Sequence, residues 1–329
     1  MTAGDSTSAP LVDRGDRDLL RRLTIVLAFV VVFTAAFAVL ERTYSQKFYD
    51  ITGKAQWIWA RHRMSDDLPI AFFAAREFDL PPQRIFTHLK ILGDPEYTLY
   101  VNGRECASRR VGEARALDFY DISSLVHDGR NRIVVAVRAP SGVGGLLAAI
   151  DIAPETANWV VTDRHWKIYR EWHPQLPLFE VAGLKWERPL VVGEPPIGRW
   201  NYLAVQKAEL TAPREASIAA KASFEQLGFI PRISTRGGVA VAVAERARAR
   251  AYDFGPTRGQ IRLIADSRRI TSQLVNVRLA NVPEELGLIE WALRPVVFAP
   301  GESVVTIPET YDFRYVMLFG KGVRAEVVK

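Results

Sequence analysis

Tryptophans and a row of alternating arginines are the residues of this 329-residue chain whose types and spacing point to chemistry. Trp57, Trp59, Trp159, Trp166, Trp172, Trp186 and Trp200 all fall before residue 203, and Trp291 alone falls after it. Proteins hold sugars by laying the apolar C–H face of the ring on an aromatic side chain while the hydroxyls find polar partners. Trp166 and Trp172 flank a polar, loop-like stretch with His165, Lys167, Arg170 and His173, which makes them the preferred stacking candidates. His165 and Asp94 are the candidates for polar contacts to such a sugar. Trp57 and Trp59 lie two apart on an opening strand, so at least one is expected in a core. In Glu245-Arg246-Ala247-Arg248-Ala249-Arg250, a strand places Arg246, Arg248 and Arg250 on one face. That row reads either as a solvated edge that discourages aggregation or as a contact for an anionic polysaccharide or partner.

Other chemistry finds little support. Glycoside hydrolysis needs two carboxylates at a fixed separation across one bond. Many acids are present, but none lies in a recognisable catalytic setting, and no catalytic residue is assigned. There is no Gly-x-Ser-x-Gly elbow, phosphate loop or His-Glu-x-x-His helix. Of the five histidines (62, 88, 127, 165 and 173), His165 and His173 are the closest pair, and no metal-ligand spacing is present. No metal site and no cofactor are expected.

The elements that must carry these residues begin with a membrane segment. Residues 23–40, LTIVLAFVVVFTAAFAVL, run 18 residues without a charge. At helical rise they reach roughly 27 Å, close to the hydrocarbon thickness of a bilayer. Arg14, Arg17, Arg21 and Arg22 precede the run, and Arg42, Lys47 and Lys54 follow more sparsely. The positive-inside rule therefore predicts a cytoplasmic N-terminus and an exported remainder in a bacterial inner membrane. A cleaved signal peptide is the alternative, since Ala36-Phe37-Ala38 is a small-x-small triplet. Charged residues make up 24% and hydrophobic residues 48%, as in ordinary folded chains. The net charge of +6 is scattered rather than clustered, which argues against nucleic acid as a partner. The single cysteine, Cys106, excludes an internal disulfide, so stability must come from packing.

Beyond the membrane run the pattern is one of short strands. Residues 1–22 are predicted to form a disordered cytoplasmic tail and 41–55 a juxtamembrane stalk. Alternation is visible in residues 98–101 and 132–138, with turns at Asn102-Gly103 and Asp128-Gly129-Arg130-Asn131. Asp94 in Gly93-Asp94-Pro95 fits a turn that bonds its own backbone. Helical signal outside the membrane is confined to Pro213–Leu227. Many short strands with regular turns argue for an all-β chain of two β-sandwich domains, expected at 56–203 and 204–329.

The order of motifs in the first of these resembles a known family. It runs Ala55-Gln56-Trp57-Ile58-Trp59, Ala75-Arg76-Glu77-Phe78-Asp79-Leu80-Pro81, and Leu92 through Gly103 (LGDPEYTLYVNG). Tyr120-Asp121-Ile122-Ser123-Ser124-Leu125, Gly129 through Val137, Gly144-Gly145-Leu146-Leu147-Ala148 and Val161 through Lys167 (VTDRHWK) follow. This resembles the galactose-binding-like jelly roll that precedes the catalytic domain of bacterial α-L-rhamnosidases and related glycoside hydrolases. Tyr252-Asp253-Phe254-Gly255 with Gly259, and Phe313-Arg314-Tyr315-Val316 with Gly320, resemble strands of the next β-sandwich of those enzymes. The resemblance implies a jelly roll and a second sandwich, and it raises a structural calcium ion, for which no ligand set stands out. The (α/α) barrel that carries the family's acid and base is not matched, so hydrolase activity does not carry over. The expectation is a membrane-anchored, non-catalytic glycan-binding or scaffolding protein of the bacterial cell envelope, in polysaccharide assembly or export. The alternative is a protein-interaction subunit of an envelope membrane complex. Its partners would be the bilayer, an envelope polysaccharide or membrane-complex proteins.

Overall fold

The computed structural model describes residues 14–61, 68–112, 115–154, 156–201, 204–211, 217–288 and 293–329. The chain separates into two compact units, residues 1–51 and 52–329. Residues 1–13 of the expected tail, His62, Trp291, the boundary at 203, and 213–216 of the helix candidate lie outside the described residues.

The first unit is the helix Arg14–Thr52, apolar and long enough to cross a membrane. It starts before the uncharged run and continues past it. Residues 14–22 are therefore helical, and the stretch expected as a stalk is helical through Thr52. Thr24, Thr34 and Thr43 each turn their hydroxyl back to the carbonyl four residues earlier, at 2.7–2.8 Å. This satisfies the hydroxyls inside the helix itself, which an apolar surrounding demands.

The second unit is all-β. Its first sandwich packs a seven-stranded sheet on a six-stranded one. The seven-stranded sheet orders Leu190–Gly193, Trp57–Trp59, Gly145–Ala153, Phe86–Asp94, Leu117–Asp121 and Val205–Lys207, with Thr156–Val161 added beside Gly145–Ala153. The six-stranded sheet orders Trp186–Glu187, Lys167–Tyr169, Ile70–Leu80, Gly129–Ala139, Glu96–Val101 and Arg104–Arg110. Both predicted turns are present. Asn102 and Gly103 take φ of +46° and +84°, as a tight hairpin needs, and Gly129 takes +77°. Trp57 and Trp59 are both buried, and Trp57 stacks on Trp200 with centroids 4.2 Å apart. Gly144 and Gly145 leave room for these rings: a Cβ at Gly144 would stand 2.4 Å from Trp59, and one at Gly145 would stand 2.6 Å from Trp200. Val205–Lys207 lies just past the expected boundary yet pairs in parallel with Leu117–Asp121. Gln206 donates to the buried Asp118 at 2.8 Å, which ties that strand to the first sandwich.

The second sandwich is one seven-stranded sheet folded on itself. Its spine is the 27-residue strand Val239–Ala265, paired with Val304–Phe319 and, over its last residues Gln260–Ala265, with Val323–Val328. The register of the pairing with Val304–Phe319 shifts between Asp253 and Thr257. The Asp-Phe-Gly motif sits there: Gly255 has φ of +71°, and its N–H donates to Asp253 at 2.8 Å. The helix expected over Pro213–Leu227 is replaced by the strands Ser217–Ala219 and Ala222–Arg236. Ala222–Arg236 pairs along its full length with the first half of the long strand, around a Gly237-Gly238 turn. That non-local pairing overrides a weak local helix signal.

The two sandwiches are packed together within this unit. Ala71, Phe73, Ala75, Val134 and Ala136 of the first bury Val297 and Ala299 of the second. Arg138 forms a fully buried ion pair with Glu302, and Arg294 reaches Glu96 at 3.4 Å.

Candidate functional site

The residues singled out from the sequence do not converge on one place. His165 and Trp166 line one groove, while Trp172 lines another between the sandwiches. Asp94 lies in neither, and Arg248 and Arg250 line a third, on the second sandwich.

Trp166 is a correction. It is 1% exposed, and its indole N–H donates to the carbonyl of Val161 at 2.9 Å. It belongs to the hydrophobic core of the first sandwich, so its ring faces offer no platform. Asp94 is a second correction. It is 5% exposed, and its carboxylate accepts from Trp200 Nε1 at 2.8 Å and pairs with Arg199 at 2.9 Å. A carboxylate so engaged is not presented to a sugar hydroxyl, and no bond to its own turn is needed to explain it. Trp172 is half-buried, tilted against Phe73 and Tyr100. Its backbone N–H donates to Pro300 at 3.0 Å, so it serves the joint between the sandwiches. The cavity beside it, about 220 Å³, is lined by Tyr100, Glu105, Arg138 and Glu302 among others. Burial pushes the Glu302 carboxyl up, while the Arg138 guanidinium pulls it down. Both of its oxygens are used, one by Arg138 and the other by the Ala299 N–H at 2.9 Å.

The groove at His165 is the more open site, a cavity of about 450 Å³. Arg76, Arg164, His165, Trp166, Lys167, Trp186 and Arg188 line it. Its floor is the edge of the six-stranded sheet. Lys167–Tyr169 pairs with Ile70–Leu80 on one side and Trp186–Glu187 on the other. Tyr169 stands opposite Trp186, so Lys167, Tyr169 and Trp186 share a face. Trp186 is 46% exposed, and the Lys167 ammonium stands 4.9 Å from its ring centroid. Lys167 also pairs with Glu180 at 2.5 Å, and His165 pairs with Asp163 at 2.8 Å. Arg76 gives one guanidinium N–H to the His165 carbonyl at 3.0 Å and keeps its buried Nε without a partner. Arg164 and Arg188 are exposed and have no ion-pair partner among the described residues.

Of the residues lining this groove, the sequence singled out His165, Trp166 and Lys167, named Trp186 only among the tryptophans, and gave no signal for Arg76, Arg164 or Arg188. The signal for Trp186 was its type alone. What leaves its ring exposed is that Trp186–Glu187 is the last strand of its sheet, and a pairing across 17 residues decides that.

Arg246, Arg248 and Arg250 do share an exposed face. Arg246 lies over Phe229 at 5.5 Å, and Arg250 reaches Glu225 at 4.0 Å. Among the described residues no three His, Cys, Asp or Glu side chains stand together as metal ligands would.

No protein-family model matches the chain, and no curated protein matches it. Solved structures do. An α-L-rhamnosidase from Dictyoglumus thermophilum is 18% identical with a TM-score of 0.48, covering 84% of this chain and 35% of that one. An α-L-rhamnosidase from Aspergillus terreus is 17% identical with a TM-score of 0.47, covering 83% and 36%. A lectin from Pleurotus ostreatus, solved in complex with GalNAc, is 14% identical with a TM-score of 0.37, covering 84% and 76%. This chain spans about a third of the length of the two rhamnosidases.

Proposed function

We propose that this chain is a membrane-anchored, non-catalytic glycan-binding or scaffolding protein of the bacterial cell envelope. In this reading Arg14–Thr52 is an uncleaved anchor with its N-terminus in the cytoplasm, and the sandwiches work outside the inner membrane, in polysaccharide assembly or export. The observation that carries it is Trp186: a large ring exposed in a groove whose other walls are polar. An indole face ringed by N–H donors is the pairing a pyranose needs, apolar C–H on the ring and hydroxyls on the donors.

An open groove of this kind leaves much of a sugar in water, so affinities nearer millimolar than nanomolar are expected, on the order of −4 to −6 kcal/mol. The full chain in detergent is to be screened on a glycan array and titrated calorimetrically against each hit. Trp186→Ala should weaken binding by about 1–2 kcal/mol. Aryl rhamnosides should be returned unchanged, and hydrolysis abolished by one Asp or Glu substitution would sink the non-catalytic reading. An alkaline phosphatase fused after Lys329 should be active in a bacterial host. An inactive, protease-protected reporter would reverse the orientation, and a product starting near Val39 would establish cleavage.

A second reading, the interaction subunit, is favoured by one feature. Among the described residues, the hairpin of Ala222–Arg236 and Val239–Ala249 has no strand partner on either outer edge, with Ile233 81% exposed. Open edges with apolar side chains are templates for another chain. A blank glycan array, together with a protein crosslinked to this hairpin in membranes, would decide for it.

A further inference from the structure

We infer that the sugar taken by the Trp186 groove is acidic: a pyranose carrying a carboxylate, its ring on Trp186 and its charge received by Arg164 and Arg188. The inference rests on the glycan-binding reading and adds the substrate class.

The groove's charges support it. Four basic side chains line the groove besides His165: Arg76, Arg164, Lys167 and Arg188. Two nearby carboxylates are already engaged: Glu180 pairs with Lys167 and Asp163 with His165. Glu187, next to Trp186, is turned to Arg170 at 2.8 Å. Arg76 is partly used by the His165 carbonyl. Arg164 and Arg188 remain, both exposed and neither matched by an acid among the described residues. Guanidinium groups present planar forks of N–H donors that fit a carboxylate, and they are less strongly hydrated than ammonium groups. A neutral glycan would leave this excess of positive charge unanswered. A bare anion would answer the charge but leave the Trp186 ring in water. A uronic acid residue meets both demands at once.

The test uses the full chain in detergent and two probes of equal length, a tetrasaccharide of glucuronic acid and cellotetraose, titrated at low salt. The acidic probe should bind about tenfold tighter than the neutral one, as expected for two partly exposed charge pairs. Arg164→Gln with Arg188→Gln should bring that ratio down to about twofold. Arg258→Gln, which removes a charge from the second sandwich outside the groove, should leave the ratio where it was. Raising the salt to about 0.5 M should shrink the preference, because partly exposed pairs are screened. Trp186→Ala should weaken both probes. Equal binding of the two probes, with the ratio unmoved by the double substitution, overturns the inference and leaves the glycan-binding reading standing. Sodium sulfate competing as well as the acidic tetrasaccharide, with no effect of Trp186→Ala, shows an anion site without a sugar and overturns it too. Binding of neither probe overturns the inference, and a blank array alongside it overturns the reading beneath it.

Discussion

Asp253 ties the register shift in the second sandwich to the neighbouring strand with one side chain. Its carboxylate accepts from Arg314 Nε and Nη2 at 3.1 and 3.0 Å and from the Gly255 N–H at 2.8 Å. The Arg314 hydrogen bonds hold this carboxyl below the usual aspartate range. A folded value below the unfolded one means the contribution is present above the unfolded pKa, about 3.9, and is lost as pH falls through the folded value. Asp253→Asn removes that component. The melting temperatures of parent and variant should therefore differ most near neutrality and converge toward pH 2. Parallel curves over that range would show that the clasp carries no proton-linked stability. From the sequence, Asp253 is legible only within the motif that carries the resemblance; its bond to the Gly255 N–H is the local kind an Asp makes at a glycine. Asn102-Gly103 was legible as a turn because both residue types tolerate the positive φ a tight hairpin needs. Trp166 and Trp186 were not separable that way: both are tryptophans in a polar stretch, and only the burial of one and the sheet-edge position of the other tell them apart.

At the scale of elements, the hairpin around Gly237-Gly238 departs furthest from expectation. The run Val239-Ala240-Val241-Ala242-Val243 is rich in strand formers, but nothing in it tells that the strand runs on to Ala265 or that its partner is the segment read as a helix. Pairing with Val304–Phe319 begins only at Arg250, so, among the described residues, 239–249 have Ala222–Arg236 as their one strand partner. Core support reaches Ile230 and Ala247 and stops there. Val239, Val241 and Val243 are exposed beyond that point. An isolated two-stranded ribbon is marginal in water. Amides of residues 239–244 should consequently exchange with solvent at least about a hundredfold faster than those of 261–264 in the same strand, because local opening costs far less than global unfolding. Hydrogen–deuterium exchange with mass spectrometry on the full chain resolves the two segments. Equal protection would mean that the hairpin is covered in solution, as the interaction-subunit reading requires. The arginine row lies at the base of this ribbon. Its alternation was readable from the sequence, whereas its placement on an arm with open edges depends on strand pairing across the whole second sandwich.

Across residues 52–329, the joint between the sandwiches decides how the protein unfolds. Val297 and Ala299 are buried against Phe73, Val134 and Ala136, and Trp172 caps the contact through Pro300. In the middle lies the Arg138–Glu302 pair, both partners almost wholly buried, with Arg138 also donating to Thr98 at 3.2 Å. Two buried charges answer each other, so removing one strands the other in a low-dielectric surrounding at a cost of about 3–5 kcal/mol. Removing both leaves no orphan charge. Arg138→Met and Glu302→Leu should each destabilise the full chain by about that amount in denaturant, and the double variant should lie closer to the parent than either single one. Neither residue stands in a motif, since a pair separated by 164 positions leaves no trace in local pattern. Tryptophan fluorescence reports mainly the first sandwich, where seven of the eight indoles lie, and far-ultraviolet dichroism reports both. If the joint makes one cooperative body, the two signals should fall together in the parent and separate in the single variants. Signals that already separate in the parent, or single-variant costs that simply add in the double, would mean that the sandwiches fold independently and that the ion pair is incidental to their union.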